Sequence, residues 1–281
     1  MVTKIVADSV VDKRSLDGVL FASVPLSVST DERAFFDDEN LDLDEMLEYL
    51  GSYKGRSYTS CPGIDKWLQV YEGADILYVV TLSGNISATY STAVAAAEMY
   101  CESNKNARVK VFNSLSAGPE CRLIIDKIAE LVKEGREFDE VCAITEDYMA
   151  HTRVFFALES FHNFAENGRV NKVVAAAAGV LGIRIMATAS TEGTIDVIAK
   201  CRGEKGTLKT FIECMKNAGY NGKKVYIGHC NNMQFADKIA AEIKSAAPDA
   251  EIEIYTTGGL ASYYAEKGGI LLACECDKKY E

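Results

Sequence analysis

The chain has 281 residues, 48% apolar and 25% charged, the balance of one large or two small globular domains, which excludes an intrinsically disordered protein. Thirty Lys and Arg against 41 Asp and Glu leave a formal net charge of −11, which argues against holding nucleic acid by phosphate neutralisation. No run reaches about 18 apolar residues, and the opening MVTKIVADSV lacks the apolar core of a secretion signal; the expectation is a cytoplasmic protein with no transmembrane segment, any membrane contact being transient and at the surface.

In chain order, residues 4–7 predict a short strand ending at Asp8-Ser9, and residues 43–50 a helix. Residues 76–81 (IleLeuTyrValValThr) form a continuous apolar run, the mark of a strand buried on both faces of a parallel sheet. Tyr90, Ala93, Val94, Ala97 and Cys101 then share one face of a helix. A strand at 109–112, a helix over 117–134 and a helix opening at Phe138 follow. This β-α-β-α-β order with helix-length crossovers predicts a doubly wound parallel sheet. Beyond it, residues 194–199 alternate like a solvated strand, and Leu208, Phe211, Ile212 and Met215 mark a helix. A strand at 224–228, a helix carrying Phe235, Ile239 and Ile243, and strands at 251–255 and 270–273 complete the chain. Fewer crossovers and more alternation predict an α+β domain with a largely antiparallel sheet. The expected division is residues 1–158 and 159–281.

Nine cysteines without a CxxC, and three scattered histidines without HExxH, predict reduced thiols packed as small core residues and no metal site.

Ligands of open α/β sheets bind beyond the carboxyl ends of the strands. Short polar residues collect there: Asp8 and Ser9 after the first strand, Ser83-Gly84-Asn85-Ile86-Ser87-Ala88-Thr89 after the strand at 76–81, and Asn113-Ser114 after the strand at 109–112. A separate loop carries Thr59 and Ser60. Ser87 or Thr89 stands where a helix N-cap is wanted, and the free N–H groups of that helix favour an anion. No Lys or Arg lies nearby in sequence, so neutral donors are expected to hold it, which suits one carboxylate better than a polyphosphate. The segment is not GxxxxGK[ST], and no GxSxG elbow follows a strand. His229, at the end of the strand at 224–228, is the one histidine at a strand edge: a base, a carboxylate partner or a satisfied core residue.

Asp8-Ser9, Pro25-Leu26, Thr59-Ser60-x-Pro62, LeuSerGlyAsnIleSerAlaThrTyr (82–90), Asn113-Ser114, Gly168-Arg169-Val170 and Lys200-x-Arg202-Gly203 occur in the order seen in the DegV family, and the chain resembles that family over almost its whole length. The resemblance implies a two-domain fold that buries one long-chain fatty acid, C14–C18 such as palmitate or oleate, with no cofactor. Members serve as the fatty-acid-binding partner of a bacterial fatty acid kinase, which supplies ATP and the chemistry. By position, Thr59, Ser60, Ser87, Ala88 and Thr89 are then the carboxylate site. Asp8, Ser9, Ser83, Gly84, Asn113, Ser114 and His229 support the pocket, and Arg169 belongs to the element associated with kinase partnership. No residue is expected to be catalytic.

Several positions depart from the family pattern. Ala88 stands for a glycine, Asn113 for an aspartate, and Arg184-Ile185-Met186-Ala187 where a lysine-proline pair is usual. The C-terminal His-x-Gly-Pro-Gly, whose histidine helps hold the carboxylate in some members, is replaced by residues 263–269. Phe155, Phe156 and the run 173–183 are candidates to line the acyl tunnel. Burying a C16 chain removes about 14 methylenes from water at roughly 0.8 kcal/mol each, about 11 kcal/mol before the entropy of association. The competing expectation is an enzyme, a hydrolase or phosphotransfer protein using Ser87 or His229.

Overall fold

The computed structural model describes residues 1–171 and 182–280. The chain begins with β1 (Thr3–Asp8), a 3-10 turn at Ser9–Val11, β2 (Leu20–Val24), β3 (Ser27–Ser29), β4 (Ala34–Phe36), α1 (Leu43–Ser52), β5 (Tyr58–Ser60) and α2 (Ile64–Tyr71). It continues through β6 (Ile76–Thr81), α3 (Thr89–Ser103), β7 (Arg108–Asn113), α4 (Pro119–Lys133) and α5 (Phe138–Met149). Then come β8 (Thr152–Leu158), α6 (His162–Glu166), β9 (Ile183–Ala189), β10 (Ile195–Arg202) and α7 (Gly203–Ala218). The chain ends with β11 (Tyr220–His229), α8 (Met233–Ala246), β12 (Ile252–Thr256), α9 (Gly259–Ala265) and β13 (Ile270–Cys276).

Strands β2-β1-β6-β7 form a sheet whose pairs are all parallel. Its two faces are both buried, as the apolar run at 76–81 requires. Tyr78 and Val80 pack with Ile5 and Ala7 against α4 and α5. Leu77 and Val79 pack with Val6 on the opposite side, against Trp67 and Tyr71 of α2 and Ala93, Ala96 and Tyr100 of α3. Period-two alternation on a strand thus feeds two cores at once.

A six-stranded sheet, ordered β10-β9-β8-β13-β11-β12, makes up the second part; only its β11–β12 pair is parallel. The fold is therefore the mixed α/β arrangement expected, a parallel doubly wound sheet followed by an α+β part with a largely antiparallel sheet. One face of β8 and β13 (Phe155, Ala157, Ile270, Leu272, Cys274) packs under α7 and α8. The other face (Phe156, Leu158, Leu271) turns toward the parallel sheet. Sequence reading did not single out β8, and the whole of it, from Thr152, lies in the six-stranded sheet, so the changeover between sheets falls before residue 158. Periodicity also left unread the small sheet β4-β3-β5, whose strands of three residues are too short to show it.

Helix α9 crosses back. Its Leu260 and Tyr263 belong to the core of the parallel sheet, with Ile5, Val80 and Phe112. Asp37 caps the helix: Gly259 N donates to Oδ1 at 2.8 Å and Leu260 N to Oδ2 at 3.2 Å. A Cβ on the preceding Gly258 would stand 2.5 Å from Asp12 Oδ1 and 3.1 Å from Asp37 Oδ1, so only glycine admits the two carboxyls this close. Cys121, Cys201, Cys230, Cys274 and Cys276 are packed into the cores, and all nine cysteines are free thiols. Among the described residues no helix is long and apolar enough to cross a membrane, and no group of three or more His, Cys, Asp or Glu is placed to hold a metal ion.

Candidate functional site

Between the two sheets lies a cavity enclosing about 870 Å³ of space, counted out to its mouth. Its wall is overwhelmingly apolar: Leu26, Leu82, Ile86, Phe156, Leu158, Phe164, Leu260 and Leu271 contribute from both sheets. Phe156 faces it. Phe155, its neighbour on the strand, points the other way into the helix-covered core. Most of the run 173–183 lies outside the described residues.

The polar groups of the wall include Thr59, Ser87, Arg169 and Tyr264. The hydroxyls of Thr59 and Tyr264 are hydrogen-bonded at 2.8 Å. Ser87 Oγ lies 2.7 Å from Thr89 Oγ1 and accepts from Thr89 N at 3.3 Å, at the start of α3. A hydroxyl has one proton and two lone pairs, so each pair, having shared one proton, keeps another to offer an incoming oxygen. Arg169 Nε donates to Ile86 O at 3.0 Å, and its Nη1 to Asn167 O, which sets the guanidinium beside Ser87. The expectation of an all-neutral cage therefore needs correction: a cation arrives from 83 residues away in sequence, which local reading does not see. Burial raises the Tyr264 phenol above its ordinary value, so it keeps its proton. Its ring stacks on Phe164 with centroids 4.5 Å apart. The Tyr263 hydroxyl is hydrogen-bonded to Ser57 Oγ at 2.8 Å and accepts from Asn167 Nδ2 at 3.0 Å, which fixes the helix turn that presents Tyr264.

Other expected residues build the loops without lining the cavity. Ser60 is exposed, because it follows Thr59 on β5 and points to the opposite face. Ala88 is exposed and is the N-cap position of α3, with no side-chain cap of its own; Thr89 is buried behind Ser87. Asp8 accepts from Leu82 N at 2.7 Å and Val10 N at 3.2 Å, tying the ends of β1 and β6 together. Burial nevertheless pushes its carboxyl up to about 7. Ser9 Oγ accepts from Leu26 N at 3.2 Å. Gly84 N donates to Asn113 Oδ1 at 3.0 Å, Ser83 N to Ser116 O at 2.8 Å, and Ser114 Oγ accepts from Ser116 N at 3.1 Å.

His229 does not line the cavity. It is buried at the end of β11, its Nδ1 accepts from Asn232 N at 3.4 Å, and burial lowers its pKa, which keeps the ring neutral. Sequence reasoning passed over Tyr264 and Phe164, although Tyr264 stands in the very segment that departs from the family's His-x-Gly-Pro-Gly. It also passed over the β9–β10 turn, where Gly193 and Thr194 join the wall. Gly193 has φ +76°, and a Cβ there would lie 2.3 Å from Ser83 Oγ and 2.8 Å from Leu115 Cα; Asn85 Nδ2 donates to the neighbouring Glu192 O. The turn thus seats on the loops after β6 and β7 with no room for a side chain.

An apolar cavity between a doubly wound parallel sheet and a mostly antiparallel one, with hydroxyls and a guanidinium in its wall, is the architecture of a binding protein for an amphipathic small molecule. The chain belongs to the DegV family: the family model, described as an uncharacterised protein of the DegV family, matches residues 2–275. It is similar to a DegV family protein from Eubacterium eligens whose crystal structure is loaded with heptadecanoic acid, at 46% identity over 98% of this chain and 100% of that one, with a TM-score of 0.96. It is also similar to the fatty acid kinase B3 protein of Streptococcus pneumoniae loaded with linoleic acid, at 34% identity over 99% and 100% of the two chains and a TM-score of 0.97. A DegV domain-containing protein of Streptococcus pyogenes serotype M1 is 38% identical over 98% of this chain and its own whole length.

Proposed function

We propose that this protein binds one long-chain fatty acid, with the alkyl chain in the cavity between the sheets and the carboxylate at Thr59, Ser87, Arg169 and Tyr264. The observation that carries the reading is the division of the cavity wall, apolar over nearly all its extent, with two hydroxyl pairs and one guanidinium to receive an anion. The heptadecanoic acid in the 46% identical relative supports it. So does the energetics: the chain supplies affinity by leaving water, at about 0.8 kcal/mol per methylene, while the polar groups fix orientation. A molecule with a net charge of −11 cannot attract a carboxylate by its overall field, so local donors have to serve.

The protein acts as a carrier that presents its ligand for a reaction whose catalytic groups come from a partner. Ser87 is bonded to Thr89 rather than to a base, and His229 lies away from the cavity, which removes the support for a nucleophilic serine. The exposure of Asn85 and Ala88 beside Ser87 puts this part of the cavity near the surface. A kinase partner docking there forms a bond from a carboxylate oxygen to the γ-phosphorus of ATP, releasing ADP and leaving an acyl phosphate. The relation to the fatty acid kinase B3 protein supports that partner.

Native mass spectrometry of the purified protein, followed by calorimetric titration of the delipidated protein with palmitate, heptadecanoate and oleate, tests the binding. The expected result is one bound C14–C18 acid and saturable one-to-one binding. An empty protein that takes up none of the three acids refutes it.

A further inference from the structure

Helix α9 begins between two carboxyls. Asp37, just after β4, accepts from Gly259 N and Leu260 N and faces Arg14 Nη2 at 3.5 Å, surroundings that suit a carboxylate. Asp12, just after the 3-10 turn, comes from the other side. A Cβ on Gly258 would meet Asp12 Oδ1 at 2.5 Å and Asp37 Oδ1 at 3.1 Å, so both carboxyls crowd the residue that precedes the helix.

Their partners differ. Both oxygens of Asp12 are closed to solvent, and no side chain donates to either. The cations nearby are engaged elsewhere. Arg122 of α4 gives Nη1 to the main-chain oxygen of Asp12 at 3.1 Å and Nη2 to Glu253. Arg14 donates to the carbonyls of Asp37 at 3.2 Å and Asp38 at 3.0 Å, and Lys13 is paired with Asp126 at 2.7 Å. Tyr255 of β12 lies under the Arg122 guanidinium at 4.1 Å, and burial keeps its phenol protonated. Burial and the charge of Asp37 outweigh the Gly258 N–H and the two arginines, so Asp12 holds its proton well beyond the ordinary carboxylate range.

Helix α9 also carries part of the acyl cavity: Leu260, Ala261, Tyr264 and Ala265 all stand in its wall. With only seven residues, its place depends on what holds its first turn. A second negative charge beside Asp37, in buried surroundings where charges are poorly screened, opposes that hold.

We infer, resting on the fatty-acid reading above, that Asp12 is a proton switch on the acyl cavity: its neutral carboxyl lets Asp37 hold α9 against the ligand, and loss of its proton to water loosens α9 and releases the fatty acid.

With α9 loosened, Asp12 meets water and its carboxyl returns toward the ordinary range. The ligand-bound form holds the proton more tightly than the open one, so binding takes up protons, and affinity falls as pH rises by at most about tenfold per pH unit. Calorimetric titration of the delipidated protein with palmitate, below its aggregation limit, between pH 6.5 and pH 9.5 tests this. Affinity is expected to fall about tenfold or more across that range, while Asp12→Asn, whose amide has no such proton to lose, stays within about threefold. Ionisation of palmitate itself acts on both proteins alike, so the difference between them isolates Asp12. An Asp12→Asn variant that loses affinity as steeply as the unmutated protein overturns the inference, as does an unmutated protein whose affinity does not fall. Where Asp12→Asn does not fold, titration of the unmutated protein at pH 8 in buffers of unlike ionisation heat decides: proton uptake on binding is expected, and none overturns the switch. Palmitate that binds at no pH refutes the fatty-acid reading first and the switch with it.

Discussion

Tyr264 is the residue on which the head of the cavity turns. Its phenol is bonded to Thr59, its ring is stacked on Phe164, and burial holds its proton in place. The phenol therefore stays a neutral hydroxyl near neutral pH. Tyr264→Phe keeps the ring and removes the hydroxyl. A hydrogen bond of about 1 kcal/mol is then lost, and palmitate should bind about fivefold to tenfold more weakly by calorimetry. An unchanged affinity would take Tyr264 out of the carboxylate site. The residue-scale reading of the sequence singled out Thr59 and Ser87 as carboxylate candidates, because hydroxyls in loops at strand ends mark them, but gave Arg169 only a part in kinase partnership, because nothing local shows a cation reaching the cavity from so far along the chain. It missed Tyr264 because a tyrosine in an apolar stretch carries no local sign of what it faces. It included His229 because a strand-end histidine looks the same whether it is buried or faces a ligand.

At the scale of elements, α9 depends on one cap. Its first two residues give their N–H groups to Asp37, and its far end carries Tyr263 and Tyr264. A seven-residue helix has little stability of its own, so its position is set by this cap and by packing. Asp37→Ala is expected to lower unfolding stability by about 1–3 kcal/mol and to weaken fatty acid binding as well, since the phenols move with the helix. Urea denaturation and calorimetry on the same variant measure both. Lost stability with intact binding would show that the phenols are held without the cap. The strands and helices with clear periodicity were legible, because a buried strand must be apolar throughout and an amphipathic helix must show its stripe. Strand β9 was not: its Arg184 interrupts the apolar pattern, and it is tolerated there because it bonds Glu159 at 2.7 Å and lies over the Phe235 ring. The small β4-β3-β5 sheet escaped because three residues define no period.

For the whole molecule, buried carboxyls set the response to pH. Asp8 sits at about 7, and Asp12 and Glu120 are also raised, each mainly by burial. A carboxyl raised in the folded state holds its proton while the unfolded chain has lost it. The folded state thus binds more protons, and stability falls as pH rises from the ordinary carboxylate range toward the folded pKa, about 7 for Asp8. His229, lowered by burial, acts in the opposite sense once pH drops below the ordinary histidine range, one group against three. Acidification also relieves the repulsion of a chain at −11. The melting temperature should therefore rise by a few degrees between pH 8 and pH 6, and Asp8→Asn should flatten part of that rise. Differential scanning calorimetry across this range checks it; a melting temperature that falls on acidification to pH 6 contradicts the assignment.

The bonds of Ser57 to Tyr263 and of Thr59 to Tyr264 join residues 206 and 205 positions apart. Closing so long a loop comes after local structure in folding, and on the ribosome it waits until α9 has left the exit tunnel. The parallel sheet can form early, yet its side of the cavity stays open to water and holds no tyrosine until α9 has been made. The cavity is therefore assembled from two parts of the chain made far apart in time, and a nascent chain that has not reached α9 has no closed cavity to offer.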